Sequence, residues 1–317
     1  MAKVLVNMRF FFILFFFFFL TIEQSFAINW VTLHGTEKKG TEASLNIIGF
    51  IQPEWQFTEG SRVADGPWKG QEAIFNNIRP RLKHSSDGTV IRARVGARGR
   101  INEHINYFGM IDFGNNALTR NIDSPVILTD ASITFDYLGP NVRFGQFKFP
   151  GSEEAMQSKY DYINFAFPTN QLLLERYYDG DGSDRLDKNG PNGAFGAFRD
   201  IGIEIFDTFN TGDWEHTLAG MVGNGNGIVR WDNDSHKELY VYGSSEWIFS
   251  GKGPKREGWK IFVWWQDGKR TLTKAGSGTY DRTRQGFGST FKKDNWRLTA
   301  EFIDAEGMIL SGTDGAV

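Results

Sequence analysis

Between Val90 and Ile101 the chain alternates residue by residue. Ile91, Ala93, Val95, Ala97, Gly99 and Ile101 fall on one side, and Arg92, Arg94, Gly96, Arg98 and Arg100 on the other. A period of two belongs to a β-strand, whose successive side chains point to opposite faces. One face is therefore apolar and the other carries four guanidinium groups. Just upstream, Arg79, Arg81 and Lys83 alternate with Ile78, Pro80 and Leu82 in the same phase. Like charges in a row repel, so they require water, acidic neighbours or a passing anion. An oily outside and a cationic inside predict the wall of a membrane barrel with an anion-attracting lumen.

The same period recurs along the chain. Leu45, Ile47, Ile51, Trp55 and Phe57 oppose Asn46, Gln52, Glu54 and Gln56. Ile105, Tyr107, Ile111 and Phe113 oppose Asn106 and Asp112, and Ala131, Ile133, Phe135 and Tyr137 oppose Asp130, Ser132, Thr134 and Asp136. Val142 to Phe149 reads as a strand without clear faces. Strands resume with Ile201, Ile203 and Ile205, then Trp214 to Val222, Leu239 to Phe249, and the row Trp259, Ile261, Val263, Trp265. Arg282, Arg284, Gly286 and Gly288 alternate with Phe287 and Phe291. Last come Trp296, Leu298, Ala300 and Phe302 against Arg297, Thr299 and Glu301.

The connections alternate too. Those near 102–104, 138–141, 207–213, 250–257 and 293–295 are short, and those near 114–126, 150–198, 223–237 and 268–280 are long. Outer-membrane barrels pair short periplasmic turns with long outer loops in this manner and carry aromatic girdles, here Trp55, Phe57, Tyr137, Trp247, Trp259 and Trp296. A secreted β-sandwich also alternates but does not require strict parity of its loops. The expected fold is all-β, a transmembrane antiparallel β-barrel of the porin type. Parity holds only if Asn77 to Thr89 adds no spanning strand, which assigns Arg79, Arg81 and Lys83 to an outer loop or a projecting ribbon. About eleven strands result, where closed bacterial barrels have even numbers. The chain is therefore expected to be incomplete at its C-terminus.

Composition supplies the address. Lys3 and Arg9 precede an apolar run, Phe10 to Leu20, and Ser25-Phe26-Ala27 offers small residues for cleavage. That is the order of a secretory signal, and the uncharged core is short of the ~20 residues that span a bilayer as a helix. Residues 1–27 are expected to be removed, 28–44 to form a short periplasmic lead-in, and 45–317 to form the barrel domain, with 150–198 as its longest loop. The 317 residues include no cysteine, so disulfides and thiolate metal sites are excluded. A net charge of −3 argues against a general nucleic-acid binder.

Enzyme and metal motifs find little support. Asp179, Asp181 and Ser183 resemble the opening of a calcium loop, but Asp184 stands where its glycine belongs and Gly190 where its glutamate belongs. The Gly223 to Gly227 run is followed by no lysine and no helix pattern, so it reads as a loop. The histidines lack metal-ligand spacing, and no nucleophile elbow occurs. No catalytic role and no cofactor are expected.

Several segments in order resemble the phosphate-selective porins O and P. They are Ile91 to Gly96, Asp112-Phe113-Gly114, Asp130-Ala131, Gly145 to Pro150, Arg199 to Ile203, and Gly223 to Gly227. The resemblance implies a sixteen-stranded, homotrimeric outer-membrane barrel with an arginine ladder in its lumen and a third outer loop folded inward. It makes Arg92, Arg94, Arg98 and Arg100 ladder residues and Lys148 the lysine entering the constriction. Arg282 and Arg284 are expected to extend the same potential, with Arg79, Arg81, Lys83 and Arg199 as cations of the mouth or loops. The expected function is a passive, anion-biased channel, for phosphate by resemblance. Its partners would be inorganic anions and outer-membrane lipid. The alternatives are a general or cation-preferring porin, favoured by the acidic loop residues Glu153, Glu154, Asp161, Glu175, Asp179, Asp181, Asp184 and Asp187, and a secreted carbohydrate-binding β-sandwich. N-terminal sequencing of the exported protein should begin at Ile28; a start at Met1 would contradict the leader assignment.

Overall fold

A computed structural model of the protein describes residues 11–12, 31, 35–58, 85–116, 119, 125–156, 176–177, 194–195, 198–228, 231–251, 256–272 and 278–307. Eleven long strands dominate: β1 (Asn46–Thr58), β2 (Ser85–Asn102), β3 (Ile105–Asp112), β4 (Ile127–Phe135), β5 (Asn141–Lys148) and β6 (Arg199–Thr211). They continue with β7 (Trp214–Gly223), β8 (Glu238–Ser250), β9 (Glu257–Leu272), β10 (Gly278–Lys293) and β11 (Trp296–Glu306). Each pairs antiparallel with the next in chain order, and the two-residue strand Phe11–Phe12 adds to the free edge of β1. One helical turn, α1 (Glu153–Met156), follows β5. Among the described residues no ladder joins β11 to β1.

Burial along these strands is inverted relative to a water-soluble sheet. Phe144, Ile205 and Val263 are 57%, 54% and 59% exposed, whereas Asp130, Thr134 and Glu204 are at most 1% exposed. A sandwich would bury the first set and hydrate the second. The alternation therefore places apolar side chains outward and polar ones inward, the arrangement of a lipid-facing sheet. On the outer face one register line joins Trp214, Trp247, Trp259 and Phe291, with Trp214 and Trp247 stacked at 6.2 Å. All four stand at the short-turn ends of β7 to β10, forming a girdle at that rim. The sheet wraps round its polar face. Ser152, next to α1, donates to Glu301 of β11 at 3.0 Å although five strands separate β5 from β11.

Three expectations need correction. Ile91 does not share the outer face. The β1–β2 register steps from Gln52↔Arg92 to Pro53↔Val90, so Ile91 is an extra residue turned inward, 4% exposed, while Val90 takes the outer position. Pro53 has no N–H to give a ladder, and a bulge is where a strand tolerates proline. Second, β2 begins at Ser85 rather than near Val90; Arg79, Arg81 and Lys83 lie outside the described residues. Third, the long loop expected at 268–280 shrinks to 273–277. The ribbon is held beyond the apolar band by polar cross-strand pairs, Lys269 to Asp281 at 2.8 Å and Thr271 to Thr279 at 3.0 Å.

Val263 sits mid-strand on the outer face of β9. Replacing it with arginine should cost about 2–4 kcal/mol if that face meets the bilayer midplane. Equilibrium unfolding in lipid vesicles measures the loss, and a change within about 0.5 kcal/mol, as for an ordinary solvated surface, would contradict a lipid-facing β9.

Candidate ion pathway

The arginine row of β2 faces inward, and each guanidinium has a polar partner. Arg92 donates to Gln52 at 2.9 Å, directly across the β1–β2 ladder. Arg94 pairs with Asp112 at 2.9 Å, its register partner on β3. Asp112 in turn accepts from the backbone of Gly114 at 2.8 Å and from Asn116 at 3.2 Å, so partners other than the arginine also hold it. Arg98 meets the carboxylate of Glu37 and donates to the Thr36 carbonyl at 3.0 Å. Arg100 donates to Asp136 at 2.7 Å and to the Glu37 carbonyl at 3.0 Å. At this rim, beyond β4, partial burial works against the Asp136 carboxylate. Hydrogen bonds from Arg100 and His104, with the charge of Arg100, outweigh it and hold the pKa below the ordinary aspartate value.

The other predicted cations are equally engaged. Lys148 donates to the Ala155 carbonyl at 2.8 Å, tying the end of β5 to α1. Arg199 opens β6 with a two-point pair to Asp130, at 3.0 and 2.9 Å, and is buried rather than a mouth cation. Arg282 pairs with Glu238 at 2.6 Å, and Arg284 donates to the carbonyl of Glu306 at 2.7 Å. Asp179, Asp181 and Ser183 lie outside the described residues, as do Asp161, Glu175, Asp184 and Asp187.

Several inward charges were not singled out from the sequence. Arg143 pairs with Glu204 at 2.7 Å and lies over the ring of Phe206 at 4.4 Å. Arg270 shares Glu238 with Arg282, at 2.9 Å. Arg256 bridges Glu215 and Glu246 at 3.0 and 2.6 Å, and Lys260 binds Glu153 of α1. Arg143 and Glu204 are register partners across β5 and β6, so opposite charges at matching positions of neighbouring strands were the available signal.

Nor is the inner face polar throughout. Phe147, Phe149, Met156, Phe206, Tyr240, Tyr242, Phe262 and Trp264 form a buried apolar cluster under α1. Gly286 and Gly288 of β10 make room for it: a Cβ at Gly286 would lie 2.7 Å from the Trp264 ring, and one at Gly288 2.5 Å from Phe262. Both pairs are in register, glycine against aromatic. One side of the interior is thus filled by the packed start of the 150–198 loop, and the arginine row lies along the other.

An antiparallel sheet with an apolar exterior and a charged interior is the arrangement of an outer-membrane β-barrel wall. Residues 75–163, which hold the arginine row and continue through β3, β4, β5 and α1, match the family described as phosphate-selective porin O and P. That match bears out the resemblance over this segment. No curated relative matches the chain. Among solved structures, the chain is similar to Salmonella typhi OmpF in complex with daunomycin, at 10% identity. That likeness covers 89% of this chain and 84% of that one, with a TM-score of 0.41. It is also similar to OmpT, an outer membrane protein of Vibrio cholerae, at 10% identity over 85% of this chain and 89% of that one, with a TM-score of 0.30.

The Asp130–Arg199 pair gives a direct check on the buried charges. Replacing either partner by alanine should cost about 3–5 kcal/mol, because the other stays buried without its two-point partner. The double variant should lose much less than both effects added; a double-mutant cycle in unfolding would expose additivity as the contrary result.

Proposed function

We propose that this protein is an outer-membrane porin, working as a homotrimer, that passes small anions with phosphate among them. One observation carries the anion reading: Arg92, Arg94, Arg98 and Arg100 share the inner face of a strand whose other face is apolar. Arginine stays charged at any physiological pH and grips two oxygens of an oxyanion at once. Rings or rows of such cations lower the barrier to an anion shedding water. Cations of the outer loops concentrate anions at the mouth, the row passes them inward, and the 150–198 loop, tied by Lys148 and Glu153, narrows the bore. The homotrimer and the phosphate preference follow the family resemblance.

A second reading, a general porin with little ion preference, has an observation of its own. Asp112, Asp136, Glu37 and Glu42 stand against the same arginines, so the row is closely balanced by carboxylates. The anion bias expected of such a row is a preference rather than an exclusion of cations. Planar-bilayer recordings in asymmetric potassium chloride separate the two. The wild-type zero-current potential should carry the anion sign, and replacing Arg92, Arg94 and Arg98 with glutamate should drive it to the cation sign. An unchanged potential in that variant would remove these residues from the selectivity account.

A further inference from the structure

The segment before β1 supplies Glu37 and Glu42 to the arginine row, and it is the backbone around them that sets where those charges stand. It runs along the inner face at the short-turn ends of β2, β3 and β4. A Cβ at Gly35 would lie 3.3 Å from Thr134 Oγ1 and 3.4 Å from Phe108 Cβ, so the backbone there lies directly on the wall. Glu37 N donates to Asn106 at 2.9 Å. The Thr36 carbonyl and the Glu37 carboxylate take Arg98, and the Glu37 carbonyl takes Arg100 at 3.0 Å. Glu42 lies 3.8 Å from Arg100, and its backbone bridges Arg100 in parallel. Ser44 closes the run, accepting from the Arg100 N–H at 3.0 Å and from the Tyr107 hydroxyl at 3.0 Å. Farther up, the Val31 carbonyl accepts from Arg143 at 2.8 Å.

The two halves of the row are thus matched from different sources. Arg92 and Arg94 are met by Gln52 and Asp112, residues of the wall itself, which strand pairing holds in place. Arg98 is met by a strap outside the sheet, held there by these polar contacts, and Arg100 is shared between that strap and the Asp136, Asn106 and Glu103 groups of the wall and its short turns. A carboxylate and carbonyls on a strap offer a guanidinium what an oxyanion offers it: negative oxygens at hydrogen-bond distance. The strap is therefore a tethered competitor for the permeating ion.

We propose that residues 35–44 form a counter-charge strap and that Glu37 is a specificity-determining residue of the channel, limiting how tightly the inner two arginines hold a passing anion. The proposal rests on the porin reading. Losing the Glu37 charge leaves Arg98 with neutral partners, strengthens its attraction for small oxyanions and halides, and raises the anion preference.

The test uses the full chain in planar bilayers with potassium chloride and, separately, potassium phosphate. Glu37→Gln should raise the anion-to-cation permeability ratio about twofold or more, since a removed charge acts within a Debye length of about 8 Å. Deleting 36–41 should raise it at least as far. Glu103→Gln, which removes an exposed charge at the same rim while leaving the backbone contact to Arg100 intact, should leave the ratio at the wild-type value. Heat-modifiable migration reports that each variant is still assembled. If Glu37→Gln and the deletion match wild type while Arg98→Glu shifts the ratio, the strap proposal is overturned and the porin reading stands. A wild-type protein that forms no channel overturns both.

Discussion

Backbone hydrogen bonding between neighbouring strands is the constraint from which the rest follows. Hydrocarbon offers no partner to an amide, so a chain that crosses it as strands must satisfy its N–H and C=O groups sideways. From β1 to β11 it does so with consecutive antiparallel neighbours and short returns at one end. Period-two geometry then leaves each residue only two choices, lipid or interior. Charged side chains take the second and most apolar ones the first, the cluster under α1 being the main exception.

Charges turned to the interior need partners, and the sheet supplies them by register. Arg94 opposite Asp112, Arg143 opposite Glu204 and Lys260 opposite Glu246 are neighbours because the ladders align them. Pairing of this kind tolerates burial that a lone charge would not. It also tempers the field of the arginine row, so that the interior is a near-balanced array with local excesses. Where register offers only a neutral neighbour, as for Arg98 opposite Asn46 and Phe108, the partner comes from outside the sheet.

The phase of nearly every strand was legible in the sequence, because lipid on one side and charge on the other is the strongest two-fold pattern a strand can carry. Where legibility failed, a specific cause is visible. At Ile91 the alternation looked faultless, but the proline that interrupts it stands on the neighbouring strand, and a bulge is a property of a pair. The ribbon to Leu272 and from Gly278 looked like a loop because polar cross-strand pairs resemble loop composition when read singly. The acids that match the arginines were visible as residues but not as partners. Glu37 stands 61 positions from Arg98, and Val31 112 from Arg143, distances that no periodicity spans. Lys148 ends β5, and its hold on the Ala155 carbonyl depends on a helical turn too short to announce itself in the sequence.

The turn at α1 has a mechanical consequence. Glu153 holds Lys260 of β9, the hydroxyl of Tyr242 on β8 lies near it at 3.4 Å, and Glu301 of β11 receives Ser152, the Glu153 N–H and the indole of Trp264. A few residues thus brace three staves that are not all adjacent to one another, as a hoop braces a cask from within. Swinging this part of the loop aside would break those contacts together and uncover the aromatic cluster beneath it. The brace therefore favours one fixed packing of this turn against the inner face over one that swings open and shut.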